Sequence, residues 1–167
     1  MSNEDRLYRR IRMHTAAVTI SSTNDDGPVH LAQGRVRGTP ETIDNIQTLN
    51  LYGFASHAPV GSDALVIFGN GDRSNGAIVA TANQKARPRN TKEGTVTIFT
   101  AEGDAITLAP GHTITIATTG TVNVSAPTIN IAAVSGGKAT INVTGDIHCS
   151  GTITADTITA PHGHVGP

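Results

Sequence analysis

The chain has no tryptophan, one cysteine, two tyrosines and three phenylalanines, so aromatic residues make up only 3% of its 167 residues. A lone thiol, Cys149, excludes a disulfide framework within the chain. Scarce aromatics and a formal net charge of -1 weigh against single-stranded nucleic-acid binding, which combines stacking platforms with a positive groove. No run of eighteen apolar residues occurs, so no transmembrane helix is expected. The charged N-terminal stretch is not followed by an apolar segment, which excludes a secretory leader. Neither a phosphate-binding glycine loop nor a nucleophile paired with a base is recognisable, and no enzymatic activity is expected.

Charge is also missing locally. Of the twelve Lys and Arg, only Lys138 lies beyond Glu93, and the only acids there are Glu102, Asp104, Asp146 and Asp156. What fills the space is Thr, Ile, Val, Ala, Gly, Ser and Asn. Apolar residues alternate with Thr or Asn in Ile114-Thr115-Ile116, Val122-Asn123-Val124, Ile129-Asn130-Ile131 and Ile141-Asn142-Val143. Period-2 alternation of β-branched residues predicts strands with one buried face. Breakers recur between the runs, at Pro110-Gly111, Gly120, Pro127, Gly136-Gly137, Gly145 and Gly151. Such short strands and turns suit a β-solenoid. Its Ile/Val/Ala interior is too small for a wide single-chain helix, and its strands leave unpaired backbone groups that invite another chain. Three chains wound about one axis satisfy both demands. Residues 93–160 are therefore expected to form an intertwined, triple-stranded β-helix; the alternative is a Ser/Thr-rich disordered stalk, which seldom carries so regular an alternation.

Residues 16–92 have a different character. Strands are predicted over Ala17–Ser22, Val29–Val36, Ile43–Tyr52, Ala64–Phe68 and Gly76–Thr81, with turns at Asp25-Asp26-Gly27-Pro28, Ala58-Pro59-Val60-Gly61 and Asn70-Gly71-Asp72. Five strands with short turns fit a small β-barrel of the OB type, giving an all-β fold. Residues 1–15 form a separate segment, with one short helix predicted from Glu4 to Met13 that places Leu7 and Ile11 on one face and four arginines on the rest.

At the other end, residues 161–167 carry His162 and His164, separated by one glycine. On an extended chain residues i and i+2 point the same way. One chain offers too few nitrogens to hold a transition metal firmly, but three chains at a threefold axis offer six. Fe²⁺, Ni²⁺ and Zn²⁺ all accept imidazole, and zinc's preference for four ligands argues against it in a six-nitrogen cage. A saturated cage leaves no open position and is structural. His14, His30, His57, His112 and His148 have no partner at ligand spacing.

Three collinear blocks carry a resemblance. They are Tyr52-Gly53-Phe54-Ala55-Ser56-His57-Ala58-Pro59-Val60-Gly61-Ser62-Asp63-Ala64; Phe68-Gly69-Asn70-Gly71-Asp72-Arg73-Ser74-Asn75-Gly76; and Arg87-Pro88-Arg89 through Glu93-Gly94 to Thr100–Leu108. With the Arg-Arg-Ile-Arg segment and the histidine pair, they resemble the Mu-type baseplate assembly protein V family of contractile-tailed phages. The resemblance implies a homotrimeric central spike with an OB-fold domain and a β-helical needle that pierces the host outer membrane. It implies baseplate hub and tail tube proteins as partners, a place in the virion, and assembly in the bacterial cytoplasm. It further implies one octahedral iron ion per trimer on His162 and His164 of each chain, with other axial ions along the needle. Two other classes compete: an OB-fold nucleic-acid binder using Lys85–Arg89, and a glycan-binding or glycan-degrading tail protein, which would need a close carboxylate pair that the scattered acids do not supply.

Overall fold

Alternating small and β-branched residues in the first half of the chain build a closed five-stranded barrel with strand order β1-β2-β3-β5-β4 in the computed structural model. The structure describes residues 4, 7, 13–133 and 137–156. The strands are β1 (Thr15–Asn24), β2 (Leu31–Val36), β3 (Thr42–Thr48), β4 (Asp63–Phe68) and β5 (Gly76–Ala82). Each expected strand is present, and the barrel has the OB-like arrangement anticipated for it. β1 pairs antiparallel with both β2 and β4, which closes the sheet on itself. The pairing of β3 with β5 is parallel and short, joining Gln47 to Ala77 and Thr48 to Ile78.

Alternation sends one face of each strand inward. Ala16, Val18 and Ile20 of β1, Ala32 and Val36 of β2, Ile43 and Ile46 of β3, Ala64, Val66 and Phe68 of β4, and Ile78 of β5 make up the core. Ile43 and Ile46 are three residues apart, yet both are buried. A β-bulge reconciles this: Gly34 pairs with Ile43 and Ala32 with Ile46, and Asn45 takes φ 55° to absorb the extra residue. The core is narrow. At Gly34 a Cβ would lie 2.7 Å from Cγ2 of the fully buried Val18, so the backbone of β2 packs directly against that side chain. Ser62 is the one buried polar residue among those described; its Oγ accepts from Asn83 Nδ2 at 3.1 Å, and its carbonyl accepts from Ile20 N at 2.8 Å.

β3 is shorter than its apolar content suggests. The expected strand ran to Tyr52, but the ladder to β5 ends at Thr48, and Leu49, Leu51, Tyr52 and Phe54 lie exposed in the β3–β4 loop. The predicted N-terminal helix falls almost wholly outside the described residues; Glu4 and Leu7 are helical and exposed.

Beyond the barrel, β6 (Val96–Phe99), β7 (Ala105–Ala109) and β8 (Thr113–Ala117) form a three-stranded antiparallel sheet in sequence order. The turns that fold it are local. Thr100 N donates to Asp104 O at 3.0 Å across the first, where Gly103 takes φ 100°, and Gly111 (φ 89°) and His112 (φ 60°) make the second. These residues lie within the stretch expected to pair between chains, and here they pair with one another. The chain divides into two units, residues 1–122 and 123–167. No strand is formed among the described residues from 118 to 156, and among them only Ala133 is not exposed. Among the described residues, no helix is long and apolar enough to cross a membrane.

Candidate assembly surface

The β6–β8 sheet is inside out for a single chain. Its register aligns Val96 with Leu108 and Leu108 with Ile114, and in the next row on the same face Ile98 with Ile106 and Ile106 with Ile116. All six side chains are exposed, from 41% at Ile106 to 70% at Ile114. The opposite face carries Thr97, Thr107 and Thr115 in one row and Phe99, Ala105 and Ala117 in another. On that face Thr97, Ala105 and Thr107 are only half-exposed. Within one chain, burial normally follows the apolar face of a sheet. Here the aliphatic face is the open one, although the strands themselves are well formed.

The same imbalance continues along the tract that follows. Val122, Val124, Ile129, Ile131, Ile141, Val143, Ile147 and Ile153 are each about half-exposed or more. Ile114-Thr115-Ile116, the first alternating run, lies in β8 and has a ladder partner. Those at 122–124, 129–131 and 141–143 have the same pattern and no partner strand among the described residues. Five-residue and three-residue connections fold β6, β7 and β8 back on one another.

His162 and His164, the expected metal ligands, lie outside the described residues. Among the described residues no group of three His, Cys, Asp or Glu side chains is placed to hold a metal ion. His148 and Cys149 are exposed, as is His112 in the β7–β8 turn.

Two histidines without partners in sequence do meet in space. The rings of His30, before β2, and His57, in the β3–β4 loop, are 4.6 Å apart at 56°. His57 Nε2 lies 2.6 Å from Thr23 Oγ1, and its Nδ1 lies 3.9 Å from Asp25. His30 Nε2 is buried without a hydrogen-bond partner. Their separation of 27 positions leaves no periodic signal.

The Phe68–Gly76 block makes the β4–β5 connection. Asp72 accepts from Ser74 Oγ at 2.7 Å and from Ser74 N at 2.9 Å, and these bonds hold its carboxyl below the ordinary carboxylate range. The Arg73 guanidinium stacks 5.0 Å over the Phe68 ring and lies 3.3 Å from Glu41. Thus Arg73 ties the β4–β5 turn to the loop before β3, while Ser74 braces the turn itself through Asp72. Across the barrel seam Arg37 pairs with Asp63, which raises the Arg37 pKa by hydrogen bonding and then by charge.

No curated protein matches the chain. Residues 18–85, from within β1 to just beyond β5, match the family model described as Bacteriophage Mu Gp45, N-terminal. Two of the three sequence blocks lie inside the matched region, while the third, the Thr/Ile tract and the terminal histidines lie beyond it. The match supports a relation of the barrel region to the Mu-type baseplate family and, through it, to the phage tail.

Proposed function

We propose that this protein is the central spike of a contractile-tail baseplate, a homotrimer whose C-terminal tracts wind into a needle that pierces the host outer membrane. The observation that carries this reading is the exposed aliphatic face of β6–β8, continued in sequence by eight exposed Ile and Val residues. Magnitudes indicate how the copies would be held. Open surface on the six sheet residues amounts to about three fully exposed aliphatic side chains, or ~5–9 kcal/mol per chain on burial. Association costs ~4–15 kcal/mol, so the sheet alone is marginal. The tract adds about five more side-chain equivalents, ~7–15 kcal/mol per chain. Its unpaired backbone groups gain a ladder in the same step. A shaft built on such a ladder is stiff, which a piercing device requires.

The barrel connects the spike to the hub and tail tube, and the virion is its location. The role is mechanical, and neither catalysis nor nucleic-acid binding belongs to it. Six imidazoles, His162 and His164 from three chains, suit one octahedral iron ion. That ion would pin three chain ends that otherwise fray.

Native mass spectrometry of full-length protein kept from chelators tests both parts. The expected species is three times the 17.2 kDa chain with the mass of one iron-sized ion. His162→Ala with His164→Ala removes the ion and keeps the trimer. A monomeric wild-type protein overturns the spike; a trimer that never holds metal overturns the tip.

A further inference from the structure

Residues 141–152 specify their own alignment poorly. Residues 141–146, Ile-Asn-Val-Thr-Gly-Asp, are followed by Ile147-His148-Cys149-Ser150-Gly151-Thr152. Ile141 recurs as Ile147, Thr144 as Ser150 and Gly145 as Gly151, and Val143 is replaced by the similarly sized Cys149. Within residues 141–152, a copy displaced by six residues therefore meets similar side chains at four of the six positions. Gly-rich strands with small, repeated residues are prone to such slippage. The β6–β8 sheet has no such freedom. Its two hairpin turns lock Val96, Leu108 and Ile114 in one row and Ile98, Ile106 and Ile116 in the next.

We propose that the aliphatic face of β6–β8 packs against the same face of two further copies, and that this contact sets the register in which the three tracts wind. The inference rests on the trimeric reading above and adds what aligns the copies. A cyclic threefold contact admits no translation between subunits, so equivalent residues meet at equal height. Three prefolded plates joined in this way deliver three chains in step at Ala117, where the tract begins. The partner is the chain itself because the face carries six aliphatic groups and no charge or hydrogen-bonding side chain by which a foreign partner would be read.

Cys149 is the only cysteine and takes the place of Val143 on the apolar side, so the label goes instead on the charged, exposed Lys138 just before the repeated segment: Lys138→Cys with Cys149→Ser gives one nitroxide per chain. Pulsed electron–electron distance measurement on this full-length protein, otherwise wild type, should give one narrow distance between the labels. Ile106→Thr with Ile116→Thr keeps β-branching and removes the apolar face. That variant should remain trimeric by native mass spectrometry while its distances split into several populations. Thr107→Val with Thr115→Val, on the opposite face, should leave the narrow distance unchanged. A trimeric face variant with the narrow distance intact overturns the inference and leaves the spike standing; a monomeric wild-type protein overturns both. If the double variant falls to monomers, the face is the contact between copies. Leu108→Thr then decides the register: split distances support the inference and a single narrow one refutes it.

Discussion

Gly34→Ala sets two physical effects against each other, and the structure says which wins. Gly34 lies within β2 and is not among the residues with positive φ. By strand propensity alone, replacing an interior glycine gains up to ~1 kcal/mol. The new Cβ, however, would sit 2.7 Å from Val18 Cγ2, 3.0 Å from Val18 Cβ and 3.3 Å from Ile46 Cδ1. Val18 is fully buried, and its β-branched side chain has little rotamer freedom with which to yield. Overpacking of this kind costs ~1–3 kcal/mol. The expected net effect is a loss of about 1–2 kcal/mol. A double-mutant cycle sharpens the test. Val18→Ala alone removes two buried methyl groups and should cost about 2 kcal/mol. Combined with Gly34→Ala it opens the space the new methyl needs, so the pair should be at least ~1 kcal/mol more stable than the sum of the single changes. Hydrogen exchange of the β1 and β2 amides, followed by mass spectrometry at fixed protein concentration, reads this local stability without interference from assembly. A neutral or stabilising Gly34→Ala, or strict additivity with Val18→Ala, would refute the packing argument.

Two further outcomes are expected. Asp72 has its folded pKa below the ordinary 3.8, with Ser74 Oγ as the first cause. The group therefore contributes stability that is present above about pH 4 and lost as pH falls through the folded value; Ser74→Ala should move the Asp72 midpoint upward in a carboxyl NMR titration, and an unmoved midpoint would discredit the assigned hydrogen bond. A chain ending at Lys92 keeps every barrel strand but loses the sheet and the tract. It should sediment as a folded monomer, and a stable trimer from it would place the main contact between copies in the barrel.

Period-2 alternation made the barrel legible because its core is filled from every second residue: Ala16, Val18 and Ile20 in β1, and Ala64, Val66 and Phe68 in β4, stand out as they do in the sequence. The bulge at Asn45 was not legible. A positive φ at asparagine is decided by the opposing strand, and it shifted the inward set of β3 from Ile43 and Asn45 to Ile43 and Ile46. Nor was the end of β3, since Leu49–Tyr52 has strand-like composition, yet after the bond from Leu49 N to Ile78 O the chain leaves the ladder. At the candidate surface, alternation at Ile114–Ile116 and at Val122–Val124 looked alike. One has a hairpin partner and the other has none among the described residues, because strand pairing depends on turns and neighbours as well as on composition. The His30–His57 contact had no signal at all, since 27 residues separate the two and tertiary folding alone brings their rings to 4.6 Å.

Barrel closure also has a consequence in time. β1 must wait for β4, and β3 for β5, so the sheet cannot close until Ala82 has left the ribosome. Residues 83–167 follow at ~5–20 residues per second, which takes on the order of ten seconds. The sticky aliphatic stretch is therefore synthesised only after every strand of the barrel is available to close it.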